Sequence, residues 1–314
     1  MPMLPRRTGF LAFAIAAALL LSAIVAARPQ RTFKVATWNV RSGMGIRSAS
    51  TTAWKHDTLN CADKSRPMNA WGMGLPQREL ERIKADDSIV ALAIQEAWTC
   101  AVPSKVNEVL GFRAATRDQD GNGTALLARY GFAQPPTHER IDAKLGSWVV
   151  GGEVCLDASC SASVPMYSTH FEGSSNSDLP PQAEALLALL RTKTAPHLLM
   201  GDLNAYRIDK WSPLVPCATP DKPERTKPLE LIEAAGYVDA WKKTQDGEGW
   251  TGMAGRPGCG QPKGNLFKRI DYVFSKGLDV VDTAQFARVT PGADAPSDHA
   301  GVTAEIAWPV STSR

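Results

Sequence analysis

Nine short apolar segments with the composition of buried strands run through the chain, against three segments with helical spacing. The segments predicted as strands are, in order, FKVATWNV (33–40), SIVALAIQEAW (88–98), TALLARYGF (124–132), SWVVGGEVCL (147–156), SVPMYSTHF (163–171), HLLMGDLN (197–204), KRIDYVFSKG (268–277), LDVVDTAQFARV (278–289) and AGVTAEIAW (300–308). Helical spacing is found at 76–87, 180–193 and 228–237. This ratio favours an α/β fold with two packed sheets and outer helices over one doubly wound sheet.

Residues 1–27 have the pattern of a secretory signal peptide. Arg6 and Arg7 form a short basic start, and a long apolar run follows that ends in small residues. The same run is long enough for an uncleaved membrane anchor, which stays as the alternative. We therefore predict a secreted or periplasmic protein in which residues 28–314 form a single domain, with an insertion at about 41–75.

The charge of that domain bears on its binding to nucleic acid, and its cysteine content bears on disulfide formation. The formal charge of +3 falls to +1 once Arg6 and Arg7 are removed, so electrostatics gives little support for avid nucleic-acid binding. An even number of cysteines behind a signal peptide suggests disulfides, and the cysteines lack the spacing of a zinc site. We expect sequential pairing, with the pairs Cys61–Cys100, Cys155–Cys160 and Cys217–Cys259.

Polar residues that a buried strand would not choose close several of the apolar segments. They are Asn39, Glu96, His170, Asp202, Asn204, Asp271, Asp298 and His299. Each alone has an ordinary explanation as a turn residue, a cap or a satisfied core histidine. Together they indicate a site, because buried carboxylates are costly unless they are satisfied by one another, by a cation or by a substrate. If the strands run in register, their ends meet at one rim of the sandwich.

Six motifs in this order resemble the endonuclease/exonuclease/phosphatase superfamily, which has the deoxyribonuclease I-like fold. The motifs are TWNV, IQEAW, STHFE, GDLNAY, RIDYVF and SDHAGV, and the match runs from about Phe33 to Trp308. The resemblance implies a four-layer α/β sandwich, in which two central, mostly antiparallel sheets are flanked by helices and the site lies at one edge of both sheets. His170 stands where other branches have tyrosine, so the chain is more similar to the deoxyribonuclease I and sphingomyelinase branches.

The resemblance also implies roles for the polar residues. The expected metal ligands are Glu96, Asn39 and Asp298. The expected catalytic residues are His170, Asp202, Asn204, Asp271 and His299. The expected contacts to the substrate phosphate are Asn39 and Asn204, together with Arg41 and Arg207, which flank motif residues. In this scheme Asp271 orients His299, while the choice of general base between Asp202 and His299 stays open.

Carboxylate and amide ligands favour a hard cation, so we expect Mg²⁺, with Mn²⁺ or Ca²⁺ as alternatives. Such a cation suits phosphodiester hydrolysis because it neutralises charge and activates water. We therefore expect a secreted Mg²⁺-dependent phosphodiesterase, in the first place an endonuclease that acts on DNA. The alternatives are a sphingomyelinase or phospholipase C-like enzyme that binds a lipid headgroup, an inositol-phosphate phosphatase, and a catalytically dead toxin or binding subunit. No obligate protein partner is evident, and a monomer is expected.

Overall fold

The computed structural model describes most of the chain from residue 30 to residue 309. The described ranges are 30–41, 74–97, 101–117, 123–142, 146–173, 175–207, 223–252, 268–288 and 295–309. The predicted signal peptide, most of the predicted insertion, and the expected pairs Cys61–Cys100 and Cys217–Cys259 lie outside the described residues. Within the described residues, no helix is both long and apolar enough to cross a membrane.

Twelve strands and five α-helices are formed by the described residues. The strands are β1 (Gln30–Asn39), β2 (Ile89–Gln95), β3 (Ala114–Arg117), β4 (Ala125–Ala128), β5 (Thr137–Arg140), β6 (Trp148–Cys155), β7 (Ser163–His170), β8 (His197–Asp202), β9 (Val238–Asp239), β10 (Asp271–Lys276), β11 (Asp279–Phe286) and β12 (Gly301–Pro309). The helices are α1 (Gly74–Ala85), α2 (Ala101–Leu110), α3 (Leu179–Leu190), α4 (Lys227–Ala234) and α5 (Ala240–Thr244).

The strands form two six-stranded sheets. The first has the order β11-β12-β1-β2-β4-β3, and the second has the order β5-β6-β7-β8-β10-β9. Each sheet contains one parallel pair, β1 with β2 and β7 with β8, and the other neighbours are antiparallel. The carboxyl ends of each parallel pair therefore lie side by side at one edge of their sheet.

Alternation along the strands divides the core into three clusters. Val35, Met166 and Met200 belong to the cluster that both sheets share. Other side chains of the first sheet pack with residues of α1 and α2, and those of the second sheet pack with residues of α3 and α4. The result is helices, sheet, sheet and helices, which confirms the predicted four-layer sandwich with mostly antiparallel sheets.

Some elements differ from those expected. Helix α2 was not predicted, although Val102, Val106 and Leu110 have helical spacing and are buried against the first sheet. Strands β3 and β5 have only four residues each, which is too short for a periodic signal. The strands predicted at 147–156 and 163–171 form the antiparallel pair β6–β7, and the expected disulfide between Cys155 and Cys160 joins them.

Candidate active site

Strand register brings the polar residues of five strand ends to one edge of the sandwich. Asn39 pairs with Gln95 at the end of the parallel β1–β2 pair. His170 pairs with Asp202 at the end of the parallel β7–β8 pair, and Asp271 opposes Asp202 at the start of β10. Sequence-distant motifs therefore meet because their strands end together.

Alternation explains why these side chains face one another across the space between the sheets. Val35 and Met200 lie in the shared core, and Asn39 and Asp202 follow them at an even separation on the same strands. An even separation keeps side chains on the same face of a strand. Asn39 Nδ2 donates to Asp202 Oδ2 at 3.0 Å and to Glu96 Oε1 at 3.0 Å. The Asn39 amide therefore links a carboxylate of each sheet.

A layer of buried polar side chains lies one step further in from the edge. Thr37 Oγ1 donates to Gln95 Oε1 at 3.3 Å, and Gln95 Nε2 donates to Ser168 Oγ at 3.3 Å. All three residues are fully buried, and they connect β1, β2 and β7. This layer separates the apolar core from the ionisable groups at the edge, and its hydrogen bonds satisfy its polar atoms.

Glu96 is held just beyond the end of β2 by a close backbone contact. Its φ of 54° lies in the left-handed region, where residues other than glycine are uncommon. Ala97 N donates to Gly123 O at 2.9 Å, and a Cβ on Gly123 would overlap the Ala97 backbone nitrogen. Burial raises the pKa of Glu96, and the nearby Asp298 carboxylate raises it further. Glycine at position 123 is therefore part of what places the Glu96 carboxylate.

Asn204 connects Asp202 to the loop that follows His170. Asn204 also has a left-handed backbone, with φ of 50°, and its N–H donates to Asp202 Oδ1 at 2.8 Å. Its side-chain Nδ2 donates to Phe171 O at 2.8 Å and lies 3.3 Å from His170 Nε2. His170 Nε2 lies 3.8 Å from Asp202 Oδ2. The Asp-x-Asn pair of the GDLN motif thus faces the same pocket as His170.

His299 forms a buried dyad with Asp271. Its Nδ1 lies 2.8 Å from Asp271 Oδ2 and 3.8 Å from Asp202 Oδ2, and only 3% of the residue is exposed. Burial alone would lower the pKa of His299, but the carboxylates of Asp271, Asp202 and Asp298 outweigh burial and raise it well above its usual range. Burial and the Asp271 carboxylate raise the pKa of Asp202. The dyad fixes the ring orientation, since Nδ1–H donates to a carboxylate.

Two hydroxyl groups that the sequence interpretation did not single out position this dyad. Ser297 Oγ donates to Asn39 O at 2.7 Å and accepts from His299 N at 3.2 Å. Thr251 Oγ1 accepts from Asp271 N at 3.1 Å. Ser297 is the first residue of the SDHAGV motif, so the motif contained a signal for it. Thr251 lies outside the six motifs, and its place depends on where the loop before β10 packs.

The remaining predicted residues are divided between the site and its surroundings. Arg41 Nη1 lies 3.6 Å from Asp298 Oδ2, and Arg41 N donates to Asn39 Oδ1 at 3.1 Å, so both residues border the cluster. Arg207 instead forms an ion pair with Glu233 of α4. The expected contact of Arg207 with a substrate phosphate remains a prediction.

The donor set fits a hard cation. Ligand atoms of Glu96, Asp202 and His299 all lie within 4.8 Å of one another. The pKa values of Glu96 and Asp202 are both raised, because burial and neighbouring carboxylates disfavour their charged forms, and a bound cation would relieve this. Of the expected ligands, Glu96 belongs to this group. Asn39 turns its amide nitrogen towards the two carboxylates, and Asp298 pairs with Arg41.

Solved structures with the same fold include proteins of several activities. An endonuclease/exonuclease/phosphatase from Beutenbergia cavernae has 18% identity and a TM-score of 0.60, with 88% of this chain and 71% of that chain covered. TDP2 from D. rerio, solved with a single-strand DNA product, has 14% identity and a TM-score of 0.58, with 88% and 98% covered. A mannosyl-6-phosphatase from Bacteroides thetaiotaomicron has 17% identity and a TM-score of 0.55, with 88% and 100% covered. At these identities the likeness shows the fold.

A family model extends the comparison to sequence. No curated protein matches the chain at a significant level. The model of the Endonuclease/Exonuclease/phosphatase family matches residues 36–299, which include every residue of the cluster described above. This chain therefore belongs to the endonuclease/exonuclease/phosphatase family.

Proposed function

We propose that this protein is an exported, Mg²⁺-dependent phosphodiesterase, in the first place an endonuclease that acts on DNA. The observation that carries the proposal is the His299–Asp271 dyad, with 2.8 Å between Nδ1 and Oδ2, set beside the carboxylates of Asp202 and Glu96. An oriented imidazole next to a hard-cation donor set is what hydrolysis of a phosphodiester requires, because the nucleophile must be deprotonated near a negative phosphate.

The hydrogen bonds favour His299 over Asp202 as the proton acceptor. Both oxygens of Asp202 accept hydrogen bonds, from Asn204 N and from Asn39 Nδ2. Nδ1 of His299 is engaged by Asp271, so Nε2 is the ring nitrogen that exchanges a proton with water. The surrounding carboxylates raise the pKa of His299, and a cation bound to Glu96 and Asp202 would offset their charge and leave Nε2 free to accept the proton. In the proposed reaction the water oxygen bonds to phosphorus as its proton passes to His299 Nε2. The carboxylate of Asp271 stabilises the imidazolium that forms.

His170 is assigned to the leaving group. Its side chain is 13% exposed, whereas the side chain of Asp202 is 1% exposed, so the ring borders the space from which a substrate would enter. A protonated His170 would give its proton to the leaving oxygen as the phosphorus–oxygen bond breaks. Asn204 Nδ2, 3.3 Å from His170 Nε2, would donate to the same phosphate group. Arg41 lies at the edge of the cluster, and we assign its guanidinium to contact with the substrate phosphate.

Glu96 and Asp202 are the residues that would hold the cation. When bound, Mg²⁺ would neutralise phosphate charge and make the water more acidic. Mn²⁺ and Ca²⁺ suit the same oxygen donors and are alternatives to be compared in the assay.

DNA is the first substrate to test, because the related TDP2 structure contains a single-strand DNA product. The mannosyl-6-phosphatase of the same fold supports a phosphomonoesterase as the second candidate. The export of the protein is proposed from residues 1–27 alone, which have the signal-peptide pattern.

The proposal is tested by incubating the purified protein with plasmid DNA, RNA, sphingomyelin, inositol phosphates and a sugar 6-phosphate, with Mg²⁺ and with EDTA. Glu96→Gln should abolish the stabilisation by Mg²⁺ in a thermal-shift titration and most of the turnover. Glu139→Gln is the matched control, because Glu139 lies on the edge strand β5 and pairs with Lys193. Turnover that survives EDTA, or equal Mg²⁺ stabilisation of the Glu96→Gln variant, would contradict the proposal.

A further inference from the structure

The loop that follows His170 is fixed by side chains from other elements. Phe171 O accepts from Asn204 Nδ2 at 2.8 Å. Glu172 N donates to Gln182 Oε1 at 2.9 Å, and Gln182 Nε2 donates back to Glu172 O at 3.2 Å. Gln182 lies on α3 and is 1% exposed. Backbone pairing to β8 ends with the hydrogen bond from Phe171 N to Asp202 O at 2.9 Å, and side chains hold the loop from the Phe171 carbonyl onward.

Arg225 joins this loop to the loop that carries Asn204. Its Nη1 donates to Asn204 O at 2.8 Å, and its Nη2 donates to Gly173 O at 3.0 Å. Its guanidinium carbon also lies 5.7 Å from the centre of the Tyr206 ring. One planar guanidinium therefore bridges two active-site loops that are 31 positions apart in sequence, counted from Gly173 to Asn204. We call the pair of hydrogen bonds from Arg225 the loop clamp.

The loop clamp stabilises the backbone at Asn204, which has a left-handed conformation. Asn204 has a left-handed φ of 50°, which persists only when its surroundings hold it. One side of Asn204 is held by Asp202, which accepts from its N–H, and the other by Arg225, which donates to its carbonyl. A Cβ on Gly173 would lie 2.5 Å from Asn204 Cγ, so the Asn204 amide packs directly on the loop after His170.

We propose that Arg225 is a positioning residue for the reaction. It acts through Asn204 and through the loop that carries His170, by fixing the spacing between the amide and the imidazole. The inference rests on the proposed function of the site. Lysine cannot replace it fully, because a guanidinium holds two acceptors in a fixed planar geometry while an ammonium is a flexible point donor.

The chain offers a matched control at the other end of the sandwich. Arg129 also donates to backbone carbonyls, at 2.7 Å to Ile89 O and 2.8 Å to Asp86 O, and its guanidinium lies 4.8 Å from the Phe112 ring centre. It joins the end of α1 to the start of β2, whereas Glu96 follows the other end of β2. Arg129→Ala should lower thermal stability and leave kcat per folded molecule unchanged.

Arg225→Ala should lower kcat by about 10–100-fold, because misplacing a contact group by an ångström has effects of this size. The kcat of Arg225→Lys should lie between those of the wild-type protein and Arg225→Ala. Guanidinium chloride at millimolar concentration should restore part of the turnover of Arg225→Ala, compared with sodium chloride at equal ionic strength, and it should not speed Arg129→Ala. Hydrogen–deuterium exchange should be faster at the amides of Asn204 and Glu172 in Arg225→Ala only.

The outcomes separate the clamp from the proposed function. If the wild-type protein hydrolyses a phosphodiester and Arg225→Ala does so at the same kcat, the clamp is wrong and the proposed function stands. An equal fall in kcat in Arg129→Ala also overturns it. If the wild-type protein is inactive on every phosphoester, the proposed function fails and amide exchange decides. Unchanged exchange at Asn204 and Glu172 then overturns the clamp, and faster exchange at both supports it.

Discussion

Strand β8 has a buried histidine cluster at each end, and the hydrogen-bond partners of the histidine are uncharged at one end and carboxylates at the other. At its start, His197 Nδ1 lies 3.1 Å from Thr194 O and Nε2 lies 2.6 Å from the Tyr237 hydroxyl. At its end, Asp202 lies beside His299, whose Nδ1 is 2.8 Å from Asp271. His197 and His299 are both nearly inaccessible to solvent.

The surroundings of the two histidines shift their pKa values in opposite directions. Burial lowers the pKa of His197, the charge of Lys276 lowers it further, and the hydrogen bond to Thr194 O opposes them only in part. The carboxylates around His299 outweigh its burial and raise its pKa. A buried histidine is therefore not in itself a sign of function. What distinguishes the site is the concentration of carboxylates, which a fold would not assemble for packing alone.

The strongest test of the difference between the two ends of β8 is to remove each histidine in turn. His299→Ala should lower kcat per folded molecule by about 10²–10⁴-fold, the usual contribution of a general acid or base. It should also lower the free energy of unfolding, because buried Asp271 loses its partner. His197→Phe should leave turnover close to the wild type and lower the free energy of unfolding, because the Tyr237 hydroxyl loses its partner. Steady-state kinetics and chemical denaturation of both variants measure the two effects. Comparable loss of turnover in both variants would remove the distinction between the two ends.

A second test uses one glycine at each end. Gly123 and Gly277 have φ of 82° and 80°, so alanine strains the backbone at both positions. Gly123→Ala should also displace Glu96 and weaken Mg²⁺ binding by about 10–100-fold, an effect of the size seen for residues that support metal ligands. Gly277 lies near Pro196, where an added Cβ would approach the Pro196 Cβ at 3.3 Å.

Gly277→Ala is therefore the control for backbone strain. It should lower the free energy of unfolding by about 1–2 kcal/mol, the usual cost of a left-handed residue, and leave Mg²⁺ affinity unchanged. Isothermal titration with Mg²⁺ compares the two variants. If both bind Mg²⁺ equally well, Gly123 does not place Glu96.

A third test removes the Tyr237 hydroxyl at the His197 end of β8. Tyr237→Phe leaves His197 Nε2 buried without its partner, which should cost about 1–3 kcal/mol in the free energy of unfolding. Turnover should not change, because the cluster lies at the far end of β8 from Asp202. Denaturation midpoints and kcat are the measurements, and a large fall in kcat would show that the two ends are coupled.

The smallest expected effect is a difference in the pH dependence of stability, measured without metal in EDTA. A lowered folded pKa means that the stability due to neutral His197 is complete above about pH 6.5 and is lost as the pH falls through the folded pKa. A raised folded pKa means that the contribution of protonated His299 is complete below about pH 6.5 and is lost as the pH rises through the folded value.

Each substitution should therefore remove one slope. Relative to His197→Phe, the wild-type protein should lose stability as the pH falls from 7 to 5. Relative to His299→Gln, it should lose stability as the pH rises above 7. Each slope is at most about 1.4 kcal/mol per pH unit, the value for one proton. Slopes of the same sign would mean that the carboxylates do not govern His299.

The sequence predicted the layers of the fold and the convergence of its polar strand ends, because both follow from alternation and strand length. Asn39, His170, Asp202 and Asp271 each close or open an apolar strand, and the structure brings all four to one edge. Helix α2 was missed even though its apolar spacing was present in the sequence. That error was one of interpretation, since the periodic signal was available.

Other parts of the site depend on contacts that no local pattern encodes. Arg207 flanks a motif, yet its partner is Glu233 on a helix 26 positions further along. Arg225 lies in a Pro-rich region that gave no sign of contact with Asn204 and Gly173. Such side chains satisfy backbone groups that emerge only once two loops lie together.

The placement of Asp202 and Asn39 on inward faces ties the geometry of the candidate site to the register of the strands. If β8 slipped by one residue against its neighbours, Asp202 would turn outward and Leu203 would point into the gap between the sheets. The same slip would move Asp202 into the apolar layer under the helices, together with Leu198 and Met200, in place of Leu199 and Leu203. Misregistered molecules would thus lose the geometry of the site and the packing of two core clusters together, and a screen for activity would also select for correct strand alignment.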